Sequence, residues 1–303
     1  MARKRMKDTL LLIDANSLIH RAYHALPPFT SPTGRPTGAL YGISSILIKV
    51  LREGIVGNGV PRYIAAAFDM PQATFRKQEY AEYKGTREAA DSELISQLIE
   101  AKNLLALFGI KSFEVAGWEA DDIVATLSKK FMNEESLKKI CILSGDLDLL
   151  QAVRNDKVVV MTPQKGISNS VIYDEVAVNT RFGLPPSLLA DYKGLVGDKS
   201  DNISGVPGIG PKTAVALLNK FGSLENIYKE IDDVGLPELK VQDKLSSGRD
   251  KGILSKKLAT LRFDLPIEVS LQDLDRGELN IEKISEEFKG LGFNSLIERV
   301  SGL

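Results

Sequence analysis

The chain has little of what binds soft metals. Among its 303 residues are one cysteine, Cys141, and two histidines, His20 and His24. A lone thiol excludes a disulfide within the chain. It sits in the apolar run Ile140-Cys-Ile-Leu143, as a buried strand residue would, and it fits a reducing compartment, the cytoplasm. No histidine or cysteine stands at a zinc-ligand spacing, and neither histidine pairs with an acid in a recognisable pattern. Long apolar runs are missing as well. None approaches the length of a membrane span, and the run behind the basic start Met1–Lys7 breaks at Asp14, which excludes a signal peptide. There is no internal repeat and no low-complexity segment. The formal charge is only −1, which taken alone speaks against a nucleic-acid partner. What remains is an ordinary soluble composition, 43% apolar and 26% charged, on a chain long enough for one large domain or two.

The most informative stretch runs from Gly194 to Ala214. Its first half sets Asp198 and Asp201 three residues apart, so that on a helical turn they share a face. Carboxylates so placed repel unless a cation lies between them. Its second half is Gly208-Ile209-Gly210 running into Pro211-Lys212-Thr213. Proline just inside the start and Gly222 just past the end mark a helix of about three turns. Glycines let a backbone approach a phosphate, and the helix start offers free N–H groups to it. A charged turn before an ordinary core helix would read the same way, so the decision rests on the rest of the chain.

Three short apolar runs each end near an acid: Thr9–Ile13 before Asp14, Arg62–Phe68 before Asp69, and Lys139–Leu143 before Asp146 and Asp148. Apolar without alternation, they suit strands buried on both faces. Helical patterns at Ala39–Glu53, Ser92–Phe108 and Glu119–Phe131 lie between them. Lys111–Val115 and Val158–Met161 are further strands. Strand and helix alternate, which predicts an α/β fold with a mostly parallel sheet and its ligand site beyond the carboxyl ends of the strands. A further set, Glu119, Asp121 and Asp122, opens a helix at the same edge. Capping and the helix dipole account for one or two acids there, not three.

After about residue 175 the pattern turns helical, over Pro185–Leu195, Lys212–Phe221 and segments between Leu224 and Leu261. The expected organisation is an α/β core over residues 1–180, with a connecting arch at about 70–95. A helical DNA-binding region follows over 181–303, with a helix–hairpin–helix-type motif at about 195–222. The arch interleaves Phe75, Arg76, Lys77, Tyr80, Tyr83, Lys84 and Arg87, which suits phosphate contacts and base stacking. Glu79, Glu82 and Glu88 nearly balance its charge, so on this segment alone a solvated amphipathic helix is the better reading.

Nine acids then converge: Asp14, Asp69, Glu119, Asp121, Asp122, Asp146, Asp148, Asp198 and Asp201. An all-carboxylate set is a hard oxygen site that selects Mg²⁺ or Mn²⁺. So many like charges do not stay ionised together without cations. The ligands suffice for two ions, which would activate water and stabilise a leaving oxygen in phosphodiester hydrolysis. Setting these nine acids aside turns the formal charge of −1 into +8, so the acids mask a basic protein.

Together, Leu-Ile-Asp14, Ala-Phe-Asp69, Trp-Glu119-Ala-Asp121-Asp122-Ile, Ser-Gly-Asp146-Leu-Asp148-Leu and Gly-Asp198-Lys-Ser-Asp201-Asn-Ile-Ser-Gly-Val-Pro-Gly-Ile-Gly resemble the bacterial 5′→3′ exonuclease and flap endonuclease family. The likeness is nearest to the nuclease domain at the N-terminus of DNA polymerase I, and it covers nearly the whole chain. It implies a PIN-like nuclease core, a helical arch and a helix–three-turn–helix motif. It also implies a metal-dependent enzyme that removes 5′ flaps and degrades 5′ ends in replication, RNA primers included, and in repair.

By matching positions, the resemblance puts Asp14, Asp69 and Asp121 around a first metal, with Glu119 holding its waters. Asp146, Asp148 and Asp198 surround a second, and Asp201 and Asp122 are accessory. Lys84 and Arg87 act on the scissile phosphate. Arg21 and Tyr83 contact substrate, and Arg76 is a further DNA-binding candidate from the basic and aromatic pattern of the arch. Gly208, Ile209, Gly210, Lys212 and Thr213 grip duplex phosphates, with a K⁺ on the turn's carbonyls. The implied partners are DNA with a 5′ flap, nick or 5′ end, and a polymerase domain in cis or in trans; the protein is a monomer. Trp118 and Ser204 depart from the family's usual tyrosine and proline, and Arg87-Glu-Ala-Ala-Asp lacks the prolines common in the arch. A junction-binding module that no longer cuts and a metal-dependent ribonuclease on a similar core are the competing readings.

Overall fold

The computed structural model describes residues 8–55, 59–87, 89–164, 166–233 and 239–303. Met1–Lys7 and Glu88 lie outside them. The sheet has six strands: β1 (Asp8–Asp14), β2 (Tyr63–Ala67), β3 (Lys111–Phe113), β4 (Leu137–Leu143), β5 (Val158–Gln164) and β6 (Gly166–Tyr173). Their spatial order is β3-β2-β1-β4-β5-β6, with every pairing parallel except β5 with β6. The antiparallel β6 was not foreseen. Its Gly166-Ile-Ser-Asn-Ser has few of the apolar residues that mark a buried strand, and it lies at the sheet's edge.

The helices are α1 (Ala15–Ala25), α2 (Gly38–Glu53), α3 (Phe75–Glu79), α4 (Ser92–Leu107), α5 (Ala120–Phe131), α6 (Glu175–Phe182), α7 (Leu189–Val196), α8 (Pro211–Phe221), α9 (Leu224–Asp233), α10 (Leu239–Ser247), α11 (Arg249–Ala259), α12 (Ile281–Leu291) and α13 (Asn294–Val300). β1 shows how the core is divided. Leu11 and Ile13 point to one side, into a core shared with α1, α2, α4, α12 and α13. Leu10 and Leu12 point to the other, against α5 and the segment around Leu261–Val269. The strand is apolar at every position because its side chains alternate between two buried faces.

A third, smaller core lies in the helical part, where Leu195, Val206, Ile209, Ala214, Leu218, Ile227 and Leu245 meet. The expectation of one helical region from 181 to 303 is corrected here. From Leu261 onward the chain returns to the sheet, and Ile284, Phe288, Leu296 and Val300 are buried in the first core. Ile284, Phe288 and Leu291 form an apolar stripe that needs a broad surface, and the sheet face offers one.

This topology fixes the site. The chain leaves central β1 towards β2 on one side and β4 lies on the other, so the crevice between β1 and β4 opens at their carboxyl ends. Asp14 ends β1, and Ser144–Asp148 follow β4.

Candidate metal centre and nucleic-acid interface

Asp14 is 2% exposed and also caps α1, accepting from Ser17 N at 3.1 Å. Ser144 Oγ donates to its other oxygen at 2.6 Å. The loop after β4 is laced to the same place. Gly145 N donates to Ser17 Oγ at 3.0 Å, Asp146 N to Ser144 Oγ at 2.8 Å, and Asp148 N to Asp146 Oδ1 at 2.8 Å. Two serines that the sequence reading passed over therefore set the register of three acids.

Asp121, in the first turn of α5, faces this group and accepts no hydrogen bond among the described residues. Burial first, then the charges of Asp146 and Asp14, hold its carboxyl well above the usual range, although Lys84 pulls it down. Asp14 is pushed up to about 6, mainly by burial, against the hydrogen bonds from Ser144 and Ser17. Asp148 is pushed up to about 7 by burial and by Asp146, despite Lys193. The like charges raise one another, as expected where a compensating cation is needed.

Lys193 of α7 is the residue the sequence reading missed. Its ammonium pairs with both Asp148 and Asp198. Burial would raise the Asp198 carboxyl, but Lys193 and the Ser200 donors bring it down to about 2. The available signal was position, since Lys193 lies one and a half helical turns before Asp198. Asp198, Asp201 and Asp148 bring oxygens within 4.8 Å of one another. Asp198 and Asp201 do not share a helical face. They belong to a tight turn closed by Asp198 N to Ile203 O at 2.8 Å and Ile203 N to Asp198 O at 2.7 Å. Asp69 joins the rim from β2, accepting from Ala120 N at 2.7 Å and from Asn16 Nδ2 at 3.0 Å.

The arch folds down onto these acids. Tyr83 Oη lies 2.9 Å from Asp201 and 3.1 Å from Glu119, Lys84 Nζ lies 3.1 Å from Glu119, and Arg87 donates to Asp201 at 2.7 Å. Lys84 N donates to Asp201 O at 2.9 Å, and Lys84 takes a left-handed φ of 52° to do so. Arg87 remains half exposed.

Three expectations are corrected here. Arg76 does not reach DNA: it is 2% exposed, with its guanidinium spent on Asp122, Glu119, Leu258 O and Thr260 O. Asp122 is fully buried and accepts from Arg76 on both oxygens, from Glu119 N and from Arg262 N. It has no lone pair left for a metal. Tyr83 is 3% exposed, with its hydroxyl against Asp201 and Glu119 and not presented to solvent. Arg21 stays exposed on α1, donating to Gln164 O.

In the helical part, Val206-Pro207-Gly208 turns into α8, with Gly208 at φ 80° and Ile209 buried. Gly208, Gly210 and Lys212 are exposed and Thr213 half-buried. Lys244 of α10 donates to Gly208 O at 3.1 Å, and Gly210 O accepts from Ala214 N at 3.0 Å. Of the carbonyls on which a K⁺ was expected, Gly208 O is occupied by the Lys244 ammonium.

The acids fit hard divalent ions: all donors are carboxylate oxygens, several lack a cationic partner, and no soft ligand competes. Against known proteins, residues 9–183 match the 5′-3′ exonuclease N-terminal resolvase-like domain, and residues 184–282 match the 5′-3′ exonuclease C-terminal SAM fold. The chain is 41% identical over 294 residues to DNA polymerase I of Bacillus subtilis. That match covers 97% of this chain and 32% of the polymerase, so the chain spans about a third of such relatives. It is 36% identical to the 5′-3′ exonuclease of Aquifex aeolicus, covering 96% of this chain and 95% of that one. In fold it is similar to the phage T5 flap endonuclease, solved as a pseudo-enzyme–product complex with DNA and metal ions. There the TM-score is 0.63 and the identity 19%, over 97% of both chains. Two family domains end to end, and a relative matched over nearly its full length, place this chain in the 5′-3′ exonuclease family.

Proposed function

We propose that the protein is a structure-specific 5′ nuclease that hydrolyses DNA phosphodiesters with Mg²⁺ or Mn²⁺, removing 5′ flaps and degrading 5′ ends. The observation that carries this reading is the convergence of Asp14, Asp121, Asp146 and Asp148, whose charges act on one another at the switch point of the sheet. With Asp69 and Asp198 they would hold the ions, and Glu119 and Asp201 would support them through water. Such ions supply a nucleophilic water at neutral pH and charge stabilisation at the phosphate and leaving oxygen.

The chain's own residues do the rest. Lys193 keeps Asp148 and Asp198 in register through one ammonium. Lys84 and Arg87, carried on the arch and paired with Glu119 and Asp201, would neutralise the scissile phosphate. The turn at Gly208–Gly210, the start of α8, Lys212 and Thr213 would grip duplex phosphates beside the cut. The sheet unit thus supplies most of the acids, and the helical unit between Leu184 and Ala259 adds Asp198 and Lys193 and sets the register on the duplex. The same reading makes it a monomer that works with a polymerase domain, in cis or in trans.

The test is a gel assay of end-labelled 5′-flap, nicked and single-stranded DNA with Mg²⁺, Mn²⁺ or excess chelator. Cleavage of flap and 5′ ends is expected with either metal and none with chelator. Asp146→Ala and Asp198→Ala should fold but not cut. Full activity in chelator, or in both variants, would overturn the reading.

A further inference from the structure

Beside the acids lies a cavity of about 400 Å³ with two unlike walls. One is Asp146, Asp148, Lys193 and Asp198; the other is built of Phe182, Leu189 and Tyr192. We propose that this cavity is a nucleobase subsite: a nucleotide whose phosphate lies at the acids seats its base against Tyr192 and Phe182, and is held by stacking without being read. The inference rests on the nuclease reading and adds to it a place for the base.

Several observations support it. The volume lies at the lower end of small-ligand sites, enough for one nucleotide unit and too small for a base pair with its backbone. Phe182 and Tyr192 meet edge to face, with centroids 6.2 Å apart and planes at 72°, so their contact does not occupy the face of both rings. The guanidinium of Arg181 lies 5.6 Å from the Phe182 centroid, which takes up part of that ring and leaves Tyr192 as the principal platform. The Tyr192 hydroxyl has no hydrogen-bond partner among the described residues, and burial raises its pKa. Gln151, the amide in the lining, is spent: its Nε2 donates to Ala259 O at 2.9 Å and its Oε1 accepts from Leu261 N at 3.3 Å. With that amide engaged, the apolar wall offers one hydrogen-bonding group, the Tyr192 hydroxyl, which is too little to distinguish four bases. Every base has a π face, so a stacking wall suits an enzyme that cuts by junction and not by sequence. An aromatic wall in the same cavity as the acids is where such a platform is needed.

The experiment compares single-turnover cleavage by wild type, Tyr192→Ala and Tyr192→Leu on two kinds of flap. One is intact. The other carries an abasic nucleotide on either side of the cut, one position at a time. Stacking on a side chain is typically worth a factor of roughly 5 to 150. Both variants should therefore be slower on the intact flap by about tenfold, and the deficit should vanish at one abasic position. Tyr192→Leu keeps apolar bulk, so it reports on the ring even if the alanine variant folds poorly. Equal deficits on intact and abasic flaps, or no deficit at all, would overturn the subsite. If wild type cuts nothing, the nuclease reading fails separately. The subsite is then judged by 2-aminopurine placed at the same positions, bound in Ca²⁺. Quenching that Tyr192→Leu relieves would uphold it, and its absence would end it.

Discussion

Arg76 and Asp122 form a two-pronged ion pair, Nη1 to Oδ2 at 2.6 Å and Nη2 to Oδ1 at 2.8 Å, with neither side chain reaching solvent. The same guanidinium donates to Leu258 O and Thr260 O, so it ties the foot of the arch to the end of α11 and to the start of α5. Removing one partner of such a pair leaves an uncompensated buried charge. Arg76→Ala should cost about 3–5 kcal/mol of stability, read by urea unfolding. Replacing both, as Arg76→Met with Asp122→Leu, should recover only part of that loss, because Glu119 N, Arg262 N, Leu258 O and Thr260 O would lose their partners. A cost under about 1 kcal/mol, coupled with weakened DNA binding, would mean that Arg76 reaches DNA after all.

The acid cluster makes stability depend on pH in a direction set by its shifts. Asp14 and Asp148 have folded pKa values of about 6 and about 7, above the unfolded value of 3.8. The folded state thus binds more protons, and this contribution is full below pH about 4 and lost as pH rises to about 7. For Asp14 alone the shift corresponds to roughly 3 kcal/mol. Asp198, lowered to about 2, acts in the opposite direction only in strong acid. In chelator the melting temperature should fall between pH 5 and pH 7.5. Added Ca²⁺, which binds the ionised form, should remove most of that fall. Asp121→Asn should flatten the chelator curve by deleting one of the opposed charges. A melting temperature that is flat or rising in chelator would show that these carboxylates do not oppose one another.

The sheet and its acids were legible because each signal is local: an apolar run stops, an acid follows, and parallel topology brings the strand ends together. Asp14, Asp69 and Asp146 needed nothing more. Asp122 was legible as an acid but not as a buried one, because its guanidinium partner lies 46 residues away in sequence. Charge in the arch was equally ambiguous. Arg76 and Arg87 have the same spelling, yet one faces the interior and the other solvent, and the short α3 followed by turns decides which. Lys193 escaped notice because a lysine in a helix is ordinary until two carboxylates close on it. The return of α12 and α13 to the sheet is a long-range packing choice that periodicity alone does not encode.

Lys244 and Lys212 approach the Gly208 turn from different elements, and each should count as one phosphate contact. Lys244 Nζ spends one donor on Gly208 O, which leaves two for an incoming phosphate oxygen. Its stem also packs closely on the turn: a Cβ on Gly208 would sit 3.1 Å from Lys244 Cε. Lys212, in the first turn of α8, is exposed and has no partner among the described residues. Each phosphate neutralised by protein releases counterions, and log affinity falls with log salt by about 0.9 per contact on duplex DNA. Lys212→Ala and Lys244→Ala should therefore each reduce the salt slope of flap-DNA binding by about one, measured at fixed Ca²⁺ so that nothing is cut. Lys244→Ala should also lower affinity at high salt, where Coulomb attraction is screened, because it frees the Gly208 carbonyl and loosens the turn. An unchanged slope in both variants would place the duplex somewhere other than this turn.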